Sequence, residues 1–287
     1  MSPTALALAD PPDETLDAYP PIDPPEGARV SEADYWAHYY EHENGYEWNN
    51  GILEVKPVSD VLTLQVYQWL LALLRFYLGT HHNARFTTLD FGFRLTLPGK
   101  VAIRKPDLGL VRHDNAVPLE DLDRSYRGVF DLCVEALSDS RPAEIKRDTE
   151  QKRQEYEAAG VGEYFILHHE PHWQLFYRRG PFGRYAPIPR DDGMIRSGVL
   201  PGFQFRLSDL LRQPEPEALI EDPVYAPFVL PRWQADRAAH AAERIARQQA
   251  ELRVELAEQS ARQERAEKEA LLAELARLRA AAQDGPH

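Results

Sequence analysis

The sequence predicts an α/β domain with a mixed central β-sheet flanked by helices, followed by a long C-terminal helix. Helix-like and strand-like segments alternate over residues 30–212, which is typical of a sheet covered by helices. From residue 235 to residue 283 the composition changes to Ala, Glu, Arg, Leu and Gln without Pro or Gly, as in a long solvated helix. With 43% hydrophobic residues among 287, the chain can bury a substantial core.

The chain is expected to divide into four segments. Residues 1–28 are rich in Pro and Asp and predict a disordered arm, because such a segment buries too little apolar surface to offset its ordering entropy. Residues 29–212 form the predicted α/β domain, and the proline-rich residues 213–234 form a predicted linker. Residues 235–283 form the charged helix. Its heptad pattern is imperfect, so it is either a lone solvated helix or a coiled coil that joins copies of the chain or binds a partner.

Local signals place the elements of the domain in order. Ser31 is the predicted N-cap of a short helix that ends at Tyr40. Asn50-Gly51 predicts a hairpin between two short strands, because these residues accept the positive φ of a type I′ turn. A helix over residues 144–159 is expected to end at Gly160. The remaining predictions are an amphipathic helix at 61–78 and strands at 84–97, 107–112, 129–137, 164–168 and 173–177.

Charge and cysteine content exclude several classes of protein. The net charge of −13 argues against a protein that coats nucleic acid or anionic membrane by bulk electrostatics. The single Cys133 excludes a disulfide framework and a cysteine-based zinc site, and it suits a reducing cytoplasm. No secretory signal is apparent, and the apolar run 62–78 is interrupted by Gln65, Gln68 and Arg75, so we expect a core helix rather than a membrane span. These features predict a cytoplasmic protein.

Three charged residues lie where buried segments call for apolar ones. Glu135 lies near the end of the apolar run 130–137, where it is either in water at a strand end or buried with a cation. Lys152 lies on the stripe of its helix that should face the sheet, where it either reaches outward to solvent or points into a polar pocket. Asp107 follows Lys105-Pro106 and is expected at the start of a buried strand.

Asp107, Glu135 and Lys152 together are what metal-dependent hydrolysis of a phosphodiester requires. Carboxylate oxygens are the ligands that Mg²⁺ prefers. The ion lowers the pKa of its bound water and neutralises charge on the phosphate, and a lysine can orient the attacking water. Asp148, one turn before Lys152, is interpreted as a helix cap or as a partner of Lys152 or Arg147 rather than as a ligand.

Four stretches of the sequence occur in an order that matches a known family. They are residues 46–54, Lys105-Pro106-Asp107-Leu108, residues 134–138, and the segment that runs from Arg147-Asp148 through Lys152 and Tyr156 to residues 160–167. Over residues 30–212 the sequence resembles the Uma-two family of endonucleases, within the PD-(D/E)XK nuclease superfamily. The resemblance implies a restriction-endonuclease-like core.

The resemblance also implies roles for individual residues. Asp107 and Glu135 would ligate Mg²⁺ or Mn²⁺ together with the carbonyl oxygen of Ala136, and Glu47 would be an auxiliary acid of the catalytic site. The superfamily usually carries its lysine two residues after the second acid, where this chain has a leucine. The family implies instead that the catalytic lysine is Lys152, from the following helix.

Two departures from the family pattern lie near the proposed site. Asp139 stands where a proline is common, which adds an acid close to the site. His168-His169-Glu170-Pro171 replaces the usual Asp-Pro. Together with His172, these histidines are interpreted as a solvated turn rather than a zinc site, because they lack a cysteine or carboxylate frame.

If DNA is the substrate, contacts to its phosphates must come from local rather than overall charge. Residues 100–153 contain eleven acidic and eleven basic side chains, so this window is neutral inside an acidic chain. The basic residues expected to contact DNA there are Arg104, Lys105, Lys146, Arg147 and Arg153. The sequence thus favours a Mg²⁺-dependent endodeoxyribonuclease, with a nuclease for RNA or single strands and a non-catalytic scaffold as alternatives. A homo-oligomer is expected, with the C-terminal helix as one candidate interface.

Overall fold

The structure, a computed structural model, describes residues 24–283. The chain divides into two compact units, with the boundary between Val229 and Leu230. The helices of the first unit are α1 (Glu32–Asp34, continued by a π-helical turn at Tyr35–Tyr39), α2 (Val61–His81), α3 (Pro142–Lys146, continued by a π-helical turn at Arg147–Lys152), α4 (Arg153–Ala159), α5 (Leu207–Arg212) and α6 (Pro216–Glu221). The second unit contains α7 (Pro231–Gln283).

The strands of the first unit form a mixed α/β arrangement with the helices, as predicted. They are β1 (Tyr46–Asn49), β2 (Ile52–Val55), β3 (Ala84–Thr88), β4 (Phe93–Leu97), β5 (Lys100–Arg104), β6 (Leu108–Arg112), β7 (Leu132–Ala136), β8 (Glu163–Leu167), β9 (Leu175–Arg179), β10 (Tyr185–Pro187), β11 (Met194–Arg196) and β12 (Gln204–Arg206). Six of them make a central sheet in the order β10-β9-β8-β7-β6-β3. Because β7 and β8 run parallel while the other neighbours are antiparallel, this sheet is mixed.

A second, antiparallel sheet has the order β2-β1-β5-β4. The predicted hairpin joins β1 to β2, and its turn residues Asn50 and Gly51 have φ values of 49° and 94°, as a type I′ turn requires. The strand-like run at 84–97 is divided between the two sheets, because β3 pairs with β6 while β4 pairs with β5. The predicted cap at Ser31 is confirmed, since its hydroxyl accepts the N–H of Asp34 at 3.1 Å.

The central sheet is buried on both faces. On one face, α2 packs its apolar stripe against the strands. This layer includes Val66, Leu73, Tyr77, Leu108, Leu132, Val134 and Phe165. On the other face, Tyr156 of α4 packs with Phe93, Phe130 and Tyr164. By length and composition α2 could cross a membrane, but its buried stripe belongs to this core, as expected from the sequence.

Two segment boundaries differ from the sequence prediction. The expected linker at 213–234 contains α6 and buries Leu219, Ile220, Tyr225, Phe228 and Val229 in the core. Its prolines lie between apolar residues, and one of them begins α6, where its missing N–H costs nothing. This stretch therefore belongs to the domain as far as residue 229.

The expected arm at 1–28 lies outside the described residues except for 24–28, and these pack on the domain. The hydroxyl of Tyr46 donates to the carbonyl of Pro24 at 2.7 Å, and the N–H of Gly27 donates to the carbonyl of Leu53 at 2.8 Å. The ordered domain thus begins before residue 29.

The helix α7 is 53 residues long and includes the whole predicted segment 235–283. Its large apolar side chains are exposed within this unit, among them Ile245, Leu252, Leu256, Leu271 and Leu275. The long C-terminal helix is confirmed, and a coiled coil stays a prediction.

Candidate functional site

The pairing of β6 with β7 brings Asp107 and Glu135 together. Leu108 lies opposite Val134 in this antiparallel register, so the residues just outside that pair, Asp107 and Glu135, are neighbours at one end of the two strands. The N–H of Ala136 donates to Oδ2 of Asp107 at 2.7 Å. This hydrogen bond fixes the Asp107 carboxylate beside the last residues of β7.

Glu135 lies in the interior of the central sheet and is only 2% exposed. The sequence left open whether Glu135 is in water or buried with a cation, and the structure shows it buried with a cation. Its Oε2 lies 3.1 Å from Nζ of Lys152, and its Oε1 accepts a hydrogen bond from the hydroxyl of Tyr156 at 2.9 Å. Burial raises the pKa of the Glu135 carboxyl above its ordinary value, and the carboxylate of Asp107 raises it further.

Lys152 does not reach solvent; its side chain points into a polar pocket and is 2% exposed. Its ammonium lies 3.1 Å from Glu135, 3.2 Å from Asp148 and 3.5 Å from Glu47. Burial alone would lower the pKa of Lys152, but these three carboxylates raise it well above the ordinary value. The three carboxylates therefore favour the charged form of Lys152, and Asp148 is one of its partners, as interpreted from the sequence.

The helical segment that carries Lys152 is not regular. The predicted helix at 144–159 begins at Pro142 and contains a π-helical turn at Arg147–Lys152. A π-turn has a wider repeat than an α-helix and is often found at functional sites. Here both Asp148 and Lys152 are buried in this turn and face the same pocket.

Glu47, on β1, is the fourth acid of the pocket and is fully buried. Its Oε1 accepts the N–H of Lys105 at 2.8 Å, and its Oε2 lies 3.1 Å from the guanidinium of Arg104. Burial tends to raise the pKa of this carboxyl, but Lys152 and Arg104 outweigh it and lower the pKa to about 2. The pairing of β1 with β5 thus places Glu47 beside Arg104 and Lys105. Lys152 contacts both Glu47 and Glu135 and so joins this acid to the Asp107–Glu135 pair.

Two residues expected to contact DNA are buried instead. Arg104 donates to Glu155 at 2.6 Å, to Glu47 at 3.1 Å and to Glu54, so its guanidinium is enclosed by carboxylates. The ammonium of Lys105 donates to the carbonyl of Tyr40 at 2.5 Å and lies over the ring of that tyrosine. The prediction is wrong for both, because strand pairing places them between two protein layers.

The other three basic residues differ in accessibility. Lys146 is exposed. Arg153 is half-buried, donating to the carbonyl of Thr149 at 3.0 Å with its guanidinium over the ring of Tyr177. Arg147 is buried and donates to the carbonyl of Val55 at 2.6 Å and to Glu26 at 2.6 Å. Of the five, Lys146 is the cation best placed for an external phosphate.

The sequence reasoning missed Lys56. This residue follows β2, and its Nζ lies 2.8 Å from Oδ1 of Asp107. Burial lowers its pKa, but the carboxylates of Asp107 and Glu135 outweigh burial and raise it. Three residues on, the hydroxyl of Ser59 donates to the carbonyl of Ala136 at 2.6 Å. A lysine just after a short strand is ordinary on a surface, so the sequence contained no signal of this contact.

A groove of about 390 Å³ opens beside Asp107 and Ala136. Its walls are mainly apolar and carry Val58, Leu64, Tyr67, Leu71 and Leu89. Tyr67 donates its hydroxyl to the backbone carbonyl of Asp107 at 2.8 Å. The groove gives an external molecule access to Asp107, the one acid of the site that lines it.

The donor set suits a hard divalent cation. Carboxylate oxygens of Asp107, Glu135 and Glu47 and the carbonyl oxygen of Ala136 are ligands that Mg²⁺ and Mn²⁺ accept. Within the chain, Lys56 contacts Asp107, and Lys152 contacts Glu135. The residue types are therefore those that bind such an ion, and two lysines of the chain contact carboxylate oxygens that the ion would use.

His168 is fully buried, so the interpretation of the histidines as a solvated turn is wrong for this residue. Ligand atoms of Asp60, His168 and His169 lie within 4.8 Å of one another. The N–H of Glu170 donates to Nδ1 of His168 at 3.0 Å, while Nε2 is buried 3.5 Å from Asp139 and makes no hydrogen bond with the described residues. Nδ1 of His168 is therefore occupied by a backbone N–H, and Nε2 is the ring nitrogen without a hydrogen-bond partner among the described residues.

Fold and site together define a mixed α/β protein with a buried carboxylate–lysine centre at the ends of its central strands. The chain belongs to the Uma2 family, whose model, described as "Putative restriction endonuclease", matches residues 33–208. That match includes Glu47, Asp107, Glu135 and Lys152, and it confirms the resemblance inferred from the sequence motifs.

One solved structure similar to the chain is a crystal structure of "a putative nuclease belonging to DUF820" from Anabaena variabilis ATCC 29413. The two share 14% sequence identity with a TM-score of 0.48, over 60% of this chain and 93% of that chain. No curated protein matches the chain.

Proposed function

We propose that the protein is a divalent-metal-dependent endonuclease that hydrolyses phosphodiester bonds in DNA. The observation that carries this proposal is the convergence of three residues distant in sequence. Lys152 lies 3.1 Å from Glu135, and Asp107 is held beside Glu135 by the N–H of Ala136. In a family described as restriction endonucleases, two carboxylates and a lysine at one strand end support metal-assisted hydrolysis.

Asp107, Glu135 and the carbonyl of Ala136 are the proposed ligands of Mg²⁺ or Mn²⁺, with Glu47 as an auxiliary acid. When bound, the ion supplies a lowered pKa for coordinated water and positive charge beside the phosphate. Tyr156 orients the Glu135 carboxylate through its hydroxyl, and Lys105 orients Glu47 through its backbone N–H. Both contacts fix the direction of the acids before substrate arrives.

Lys152 is the proposed catalytic lysine. Because three carboxylates keep its ammonium protonated, it acts as a hydrogen-bond donor and a positive charge rather than as a base. A donor in this position can orient the attacking water and stabilise the added negative charge on the phosphate oxygens. The proton released by water leaves to solvent, and the departing oxygen takes one up.

Substrate access is proposed through the groove beside Asp107, with Lys146 and Arg153 contacting the DNA backbone outside it. A chain with net charge −13 is expected to bind duplex DNA weakly and to lose that binding as salt rises. RNA and single-stranded DNA should therefore be tested as substrates beside duplex DNA.

The test is cleavage of supercoiled plasmid by purified protein with Mg²⁺ or Mn²⁺. Glu135→Gln keeps the shape of the side chain but removes a proposed ligand, and cleavage should be lost. The matched control is Glu163→Gln, because Glu163 is equally buried but lies at the opposite end of the neighbouring strand, paired with Arg178. Equal nicking by the wild type and Asp107→Ala would show a contaminant or another site.

A non-catalytic scaffold is the second candidate function, favoured by the exposed apolar side chains along α7. We propose that α7 joins copies of the chain. Light scattering should then give a mass of two or more chains for the full protein and of one chain for a protein ending at Leu230, with the circular dichroism of the domain retained. If metal titration shows no binding sensitive to Glu135→Gln, the scaffold is favoured over the nuclease.

A further inference from the structure

Lys56 takes the place beside Asp107 where a metal ion is proposed. Its ammonium lies 2.8 Å from Oδ1 of Asp107, and its side chain is 15% exposed. The other carboxylate oxygen, Oδ2, accepts the N–H of Ala136. Oδ1 is thus the oxygen of Asp107 that a cation would use, and Lys56 contacts it.

The segment that begins with Lys56 also covers a second proposed ligand. Ser59 donates its hydroxyl to the carbonyl of Ala136 at 2.6 Å. Asp60 then caps α2 by accepting the N–H groups of Leu62 and Thr63 at 2.8 and 3.0 Å. Residues 56–60 are therefore held at both ends, which keeps Lys56 close to Asp107.

The ion pair between Lys56 and Asp107 affects metal binding through the balance of charge at the site. A buried carboxylate needs a cation or a proton, because isolated charge is costly away from water. Lys152 forms ion pairs with Glu135, Asp148 and Glu47, and Lys56 forms an ion pair with Asp107. A divalent ion on Asp107 would lie within a few ångströms of the Lys56 ammonium, and two cations so close in a partly buried site repel each other.

We propose that Lys56 is an internal cation that competes with the divalent ion for Asp107. The inference rests on the proposed function, since it concerns the same metal centre. The ion binds when the ammonium leaves Oδ1, and the flexible lysine stem lets it turn toward the groove beside Asp107. Lys56 thereby supplies the positive charge beside Asp107 when no metal is bound and raises the metal concentration needed to load the site.

The experiment is calorimetric titration of the full chain with Mn²⁺. Lys56→Met keeps the length of the stem but removes the charge, and it should bind Mn²⁺ about tenfold more tightly than the wild type, or better. Lys56→Arg keeps the charge and should stay near wild type. Lys100→Met removes a lysine paired at 2.5 Å with Glu155, which keeps Arg104 as a partner, and should change affinity little.

A second readout uses the wild-type chain. If Mn²⁺ displaces the ammonium from Asp107, labelling of Lys56 by an amine-reactive reagent should rise on Mn²⁺ addition, while labelling of Lys100 should not. Mass spectrometry of the labelled peptides measures both. Lys56→Gln gives a second charge-removing variant if the methionine variant melts early.

The outcomes separate the two proposals. Equal Mn²⁺ affinity in the wild type and Lys56→Met, with unchanged Lys56 labelling, overturns the competition, and the metal centre stands if Glu135→Gln abolishes binding. No Mn²⁺ binding by either the wild type or Lys56→Met overturns the proposed metal centre itself. Tighter binding in Lys56→Met that Glu135→Gln removes supports both.

Discussion

The hydroxyl of Tyr156 donates to Oε1 of Glu135 at 2.9 Å, with both side chains buried. Tyr156→Phe leaves that oxygen without its donor in a dry site. We expect the free energy of unfolding to fall by about 1–3 kcal/mol, and Mn²⁺ affinity and cleavage to fall with it. The control is Tyr185→Phe, which loses a hydrogen bond to the carbonyl of Val161 but no contact with the site. Equal metal affinity in the two variants would contradict the orienting role of Tyr156.

Lys152 is the cation shared by three buried carboxyl groups, so its removal should cost stability as well as activity. In Lys152→Met, Glu135 and Asp148 keep no other basic partner within 4 Å among the described residues. We expect denaturant unfolding to show a loss of about 3–5 kcal/mol, the usual effect of breaking a buried ion pair from one side. Lys100→Met, whose partner Glu155 keeps Arg104, should lose clearly less. A Lys152→Met protein as stable as the wild type would show that the carboxylates accept protons at little cost.

Glu47 predicts an acid limit to stability. Its pKa is about 2 in the folded chain against an ordinary 4.5, so the folded state binds this proton less readily than the unfolded state. The stabilisation is therefore present above pH 4.5 and is lost as the pH falls toward 2. Unfolding followed by tryptophan fluorescence should show Glu47→Gln losing less stability than the wild type over this window. Parallel pH curves for the two proteins would contradict the lowered pKa.

The exposed Lys146 is predicted to contact the DNA backbone, whereas the buried side chains of Arg104 and Lys105 are not placed to do so. Lys146→Glu should weaken duplex binding and lower the slope of log affinity against log salt by about one, as the loss of one phosphate contact does. Fluorescence anisotropy across a salt series measures both quantities. Lys268→Glu, an exposed lysine of α7, gives the same change of charge in the other unit. An equal effect of the two substitutions would mean that net charge, rather than a contact, sets the affinity.

The parts of the fold that depend on local chemistry could be predicted from the sequence. Asn50-Gly51 requires a particular turn, and Ser31 caps the helix that follows it. Glu135 and Lys152 were identifiable because each interrupts an apolar pattern, and a charge inside such a pattern is costly unless it has a partner.

The remaining features depend on strand pairing between distant segments. Arg104 is buried because β1 and β2 place Glu47 and Glu54 against β5, and these contacts span about fifty residues of chain. Lys56 contacts Asp107 for the same reason. Periodicity shows which residues face a core but does not show which acid meets which base, so these pairs were beyond sequence reasoning.

Because of the π-helical turn at Arg147–Lys152, the contacts made by Asp148 and Lys152 depend on the length of this segment. A π-turn closes its hydrogen bond over one more residue than an α-helix does, so deleting a residue between Asp148 and Lys152 would replace it by a tighter α-helical turn and change the angle between these two side chains around the axis. The contacts that Lys152 makes with Asp148 inside the turn and with Glu135 outside it would then no longer be held together. Homologous chains that keep this chemistry should therefore vary here by substitution and not by insertion or deletion.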